Sequence, residues 1–169
     1  MIVAPVSLAL SGCGWFGNDE RAALELAWLN RDVEIRQVIE QIRTQGLEAV
    51  ASSAHAGSVA ACVADRLDKD PLGKLATVEG ALAESVPVNE LLADLESLLS
   101  QELNFESASS LLQKGADIAA YAKVLIEEQG IAGASKSLAA MSTQAESYAQ
   151  QDLGGHFQTL IEGCKTRTN

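Results

Sequence analysis

The amino-acid sequence predicts an all-α protein, a single irregular multi-helix bundle of about six to eight helices with short connections. Three observations predict it. Hydrophobic residues make up 47% of the chain but aromatics only 4%, so Ala, Leu, Val and Ile must fill the interior, a mix that favours helices over strands. Only three prolines interrupt the chain of 169 residues. Apolar residues recur at three- and four-residue spacing over most of its length, the period of a helix with one buried face.

The elements follow in order. Asn18 or Asp19 can cap a helix, and Asp19 and Glu20 suit the positive end of its dipole. A first helix is expected over 19–45, with Leu24, Trp28, Ile35, Val38, Ile39 and Ile42 on one stripe and Gly46 placed to stop it. A second, over 47–67, carries Val59, Cys62, Val63 and Leu67 along one face. Asp70-Pro71 then marks a break, because the residue before a proline avoids helical angles. Residues 74–84 read as a short, weak helix interrupted by Gly80.

Pro87 sits near the start of the clearest element, "VPVNELLADLESLLSQEL", whose Val88, Leu91, Leu92, Leu95, Leu98, Leu99 and Leu103 form a wide apolar face. Two further helices flank Gly115, over 105–114 and 116–129; another is expected over 133–152 and a last one over 155–164. "IEQIRTQGLEAVASS" and "LIEEQGIAGASKS" echo each other, each placing Gln-Gly before an aliphatic residue and an Ala/Ser-rich helix. They read as two glycine-capped helices rather than a duplicated hairpin.

The formal net charge is −11, and residues 1–13 carry no charged side chain, so all of it sits on the body. Nucleic acid is an unsuitable partner, because a phosphate-binding surface needs clustered Lys and Arg. Adsorption of the body on an anionic membrane is disfavoured for the same reason, whereas a basic protein partner would be attracted.

Ahead of this body, "IVAPVSLAL" (2–10) is uncharged and almost wholly apolar. It is far too short to span a bilayer, which takes roughly 20 residues, but it matches the hydrophobic region of a signal peptide. Ser11 and Gly12 follow, and Cys13 comes next. Leu10-Ser11-Gly12-Cys13 resembles the lipobox of bacterial lipoproteins at all four positions, although no Lys or Arg precedes the apolar run. The resemblance implies cleavage before Cys13, a thioether-linked diacylglycerol on its sulfur and acylation of the new amino terminus. Gly14 stands where inner-membrane lipoproteins often carry Asp, which implies the outer membrane. The expected organisation is a lipoprotein signal peptide over 1–12, the lipidated Cys13 and a tether over 13–18, and an all-helical domain over 19–169.

Cys62 and Cys164 are the remaining thiols, and an even pair in an exported chain predicts a disulfide. Each lies on the apolar stripe of its helix, Cys164 in register with Phe157, Leu160 and Ile161. Closing a loop of about a hundred residues is worth roughly 4–5 kcal/mol in the chain-entropy model. No metal site is expected. His55 precedes Cys62, and His156 precedes Cys164, by distances that correspond to about 10–12 Å of helical rise, too far apart for one ion.

No catalytic residue is assigned. The chain has no Gly-x-Ser-x-Gly, no phosphate-cradling glycine loop and no His-Glu-x-x-His. His55 in "SSAHAGS" reads as an exposed histidine among small residues, and Asp65/Asp68, Glu90/Asp94 and Glu127/Glu128 read as solvated helix faces. No cofactor is expected. The sequence therefore points to a non-catalytic binding or assembly factor, accessory or pilotin-like, held at the outer membrane by lipid and facing the periplasm. The alternatives are an acidic immunity or inhibitor protein that blocks a basic periplasmic enzyme or toxin, and an unfamiliar hydrolase that gathers His55 or His156 with scattered carboxylates.

Overall fold

Asp32 decides where the first helices lie. Its carboxylate accepts hydrogen bonds from the backbone N–H groups of Glu34 (3.0 Å) and Ile35 (3.1 Å), and so caps a helix that begins at the next residue. The computed structural model describes residues 17–100 and 116–165. It has two helices, α1 (Gly17–Leu29) and α2 (Val33–Gln45), where the apolar period predicts one over 19–45. Leu24, expected in the core, is 57% exposed as a result, while Ile35, Val38, Ile39 and Ile42 are buried as expected.

The same chemistry divides the next segment. The Ser58 hydroxyl accepts from the Ala61 N–H at 3.1 Å and starts α4 (Val59–Lys69), so the helix expected over 47–67 is α3 (Leu47–Ser53) followed by α4. Asp70, extended ahead of Pro71, ends α4 as predicted. Two short 3-10 helices, Gly73–Thr77 and Ala81–Ala83, occupy the stretch expected to be weakly helical. Gly80, left-handed at φ 87°, separates them.

Beyond them lie α5 (Val88–Ser100), α6 (Ala116–Gln144), a 3-10 turn (Ala145–Ser147) and α7 (Leu153–Lys165). The helix expected over 133–152 stops early because its last residues pair with another segment. The N–H groups of Val88 and Asn89 donate to the carbonyls of Gln151 and Ala149, and those of Leu153 and Gly154 donate to Val86 and Glu84. Pro87 and Asp152 thus form an isolated antiparallel bridge, and among the described residues there is no longer β-structure. The helix expected over 105–114, Leu103 and the opening stretch with Cys13 lie outside the described residues.

Inside α6, Gly130 leaves the helical region at φ 68° and ψ 170°, so two helical arms meet there at a kink. Gly46, between α2 and α3, has φ 93° and ψ 152°. The Gln-Gly echo in the sequence is therefore also an echo in the backbone, a conformation that an L side chain would strain.

One core unites these elements. α5 packs along α6, and α4 lies against α2, α3 and α7. α5 contributes Val88, Leu91, Leu92, Leu95 and Leu98; α4 contributes Val63 and Leu67; α7 contributes Leu153, Phe157 and Ile161. The all-α bundle predicted from composition and period is the fold observed. No described helix is long and apolar enough to cross a membrane.

Candidate functional site

Cys62 and Cys164 are bonded, with an S–S distance of 2.08 Å and Cα atoms 5.7 Å apart. The pairing expected from the sequence thus fastens α7 to α4. Arg66 strengthens the seam, donating from Nη1 to the Leu160 carbonyl at 2.9 Å and from Nη2 to that of Gly163 at 3.3 Å.

A second seam lies nearby. His156 Nε2 is 2.8 Å from Asp70 Oδ2, across 86 residues of sequence, and the other Asp70 oxygen accepts from the Leu72 N–H at 2.9 Å. Tyr148 stacks on the imidazole with ring centroids 4.0 Å apart. The His156 and Asp70 side chains are only 7% and 8% exposed. The Tyr148 hydroxyl is buried without a hydrogen-bond partner among the described residues, and burial, with the Asp70 carboxylate second, pushes its phenol up to about 12. Sequence spacing gave no sign of this pairing, because helix periodicity says nothing about which ends meet. As arranged, the cluster holds the start of α7 against the end of α4. His55 stands apart, exposed in the α3–α4 connection.

A third cluster was also unforeseen. Glu25, 2% exposed, receives Arg43 through both nitrogens, Nη1 to Oε1 at 2.5 Å and Nη2 to Oε2 at 3.0 Å. It also accepts the Leu82 N–H at 2.9 Å, while Arg43 Nη2 reaches the Val78 carbonyl at 3.1 Å. Arg21 pairs with buried Glu84, whose carboxylate also accepts from the Tyr121 hydroxyl at 3.4 Å. Burial, then the Glu84 charge, raises the Tyr121 phenol well above its ordinary value. The inner face of α1 thus sets an ion-paired stretch beside buried Leu29. The signal was present in the sequence, since Glu25 shares a stripe with Ala22 and Leu29, but the flanking leucines and Trp28 obscured it.

Two surface features remain. An open groove of about 800 Å³ runs beside the α2–α3 junction, lined by Gly46, Glu48, Ser52, Asp68, Lys74 and Glu128 among others. Lys74 Nζ lies 2.6 Å from Glu128, so three carboxylates face one ammonium there and suit a basic or amide-rich segment. The other feature is the outer face of α1, where Leu24 and Leu26 are 57% and 52% exposed. The described residues contain no group of three or more His, Cys, Asp or Glu side chains placed to hold a metal ion. No family model, curated protein or solved structure matches this chain.

Proposed function

We propose that this chain is an envelope lipoprotein, anchored by lipid on Cys13 at the outer membrane and facing the periplasm, where it binds or helps assemble another protein without catalysing a reaction. The observation that carries the reading is Leu10-Ser11-Gly12-Cys13 at the end of an apolar run. The Cys62–Cys164 bond supports it, because disulfides persist in oxidising compartments such as the periplasm. The acidic groove beside Gly46 and the net charge of −11 favour a basic partner surface.

The same charge favours one second reading, an immunity or inhibitor protein that covers a basic enzyme or toxin. Both complexes would weaken as ionic strength rises, so the partner's activity separates them: an inhibitory complex abolishes turnover by the bound enzyme or toxin, whereas an assembly complex does not. For the principal reading the test is Cys13→Ala. This variant should move from the membrane fraction to the soluble periplasm, and unchanged fractionation would overturn lipid anchoring.

A further inference from the structure

α1 departs from an ordinary surface helix, although Leu29 on its inner side is buried in the core. Its inner side carries the ion-paired Arg21 and Glu25, and its outer side carries Ala23, Leu24, Leu26 and Ala27, all exposed. Ala23 is three and four residues from Leu26 and Ala27, and Leu24 is three from Ala27, so the two alanines form the middle of a broad apolar face that the two leucines flank. Of the four large hydrophobic side chains most exposed among the described residues, two, Leu24 and Leu26, lie on α1.

From this patch we infer that α1 lies against the lipid surface and sets the orientation of the whole body. The inference rests on the anchoring reading above. Three residues lie between Cys13 and Gly17, the first residue of α1, and the four steps from one to the other span at most about 14 Å. A lipid on Cys13 therefore keeps the start of α1 near the headgroups, and the apolar face is what lays the rest of this helix, about 20 Å long, along them. Two of those intervening residues are Trp15 and Phe16, and Trp in particular favours the membrane–water interface.

A second copy of the chain would need about 800 Å² on each partner, far more than two leucines and two alanines present. Beside a bilayer the patch need not act alone, because an anchored chain meets the surface at high effective concentration. The contact is apolar rather than ionic, which reconciles it with the negative charge of the body. Glu20 and Arg31, at the two ends of the patch, are exposed and remain in water.

The test uses the full chain purified from its own membranes and reconstituted in phosphatidylcholine vesicles that contain a photoactivatable phospholipid. Label is expected on the peptide covering 20–31. In Leu24→Gln/Leu26→Gln most of that label should be lost, while flotation with the vesicles is unchanged. Absence of α1 label from wild-type protein whose Cys13 is acylated overturns the orientation and leaves the anchoring intact. An unmodified Cys13 with no flotation overturns the anchoring itself, and the orientation with it. A cross-link joining two chains through α1 overturns the lipid contact in favour of self-association.

Discussion

Glu25 and Arg43 meet in the interior as a two-point ion pair, one on α1 and the other on α2. Each also satisfies backbone that no helix supplies: Glu25 takes the Leu82 N–H, and Arg43 takes carbonyls of Ala76 and Val78. The pair therefore decides how α1 seats on the 3-10 region. Arg43→Met should destabilise the fold by about 3 kcal/mol, because it strands a buried carboxylate. The double variant Glu25→Leu/Arg43→Met should recover part of that loss, leaving the Leu82 N–H and the carbonyls that Arg43 served without those partners. Urea unfolding of the wild type, Glu25→Leu, Arg43→Met and the double variant would measure the coupling, and additive losses would contradict it.

The disulfide should be worth about 2–4 kcal/mol, the range usual for such bonds and somewhat below the chain-entropy value for so long a loop. Thermal unfolding with and without reductant measures it. α7 should remain docked in the reduced protein at moderate temperature, because Arg66 and the His156–Asp70 pair also join it to α4. Loss of all helical signal on reduction at 25 °C would show that these contacts cannot hold it.

Tyr148→Phe should be neutral or stabilising by about 1 kcal/mol at neutral pH, since it deletes a buried hydroxyl that has no partner. It should also change the alkaline limb. A phenol raised to about 12 in the folded state favours folding fully below about pH 10, and that contribution is lost as pH rises through about 12. The variant should lose stability less steeply across this window, with Tyr121 responsible for the slope that remains. An unchanged slope would contradict the assignment.

At the acid end, Asp32 is held below its ordinary value, first by the Ile35 N–H and also by Lys165. A depressed carboxylate contributes stability above its unfolded value, which is lost as pH falls through the folded one. Asp32→Ala should cost about 1 kcal/mol at pH 7 as a lost helix cap, and its deficit should vanish toward pH 2. A deficit independent of pH would contradict the role.

How far the sequence foretold this molecule depends on the kind of interaction. The apolar faces of α2, α4, α5 and α7 were legible because period alone assigns them. Cys62 and Cys164 were legible as a pair because they are the two thiols left beside Cys13 and each lies on the apolar stripe of its helix. The breaks at Asp32 and Ser58 were missed, since a capping side chain can sit inside an apolar period without disturbing it. Leu24 was placed inside for the same reason. His156–Asp70 and Glu25–Arg43 were not legible, because each joins residues whose distance in sequence carries no information about their distance in space. Gly46 and Gly130 lie between these cases: their shared Gln-Gly context was visible, but their shared conformation was not.

The central claim is that Cys13 becomes the lipidated amino terminus of the exported protein. The most direct measurement is the mass of the N-terminal peptide of the protein isolated from its native envelope. The account predicts a peptide that begins at Cys13 and carries a diacylglycerol thioether and an amide-linked acyl chain. A peptide that begins at Met1, with Cys13 present as an unmodified thiol, would contradict it.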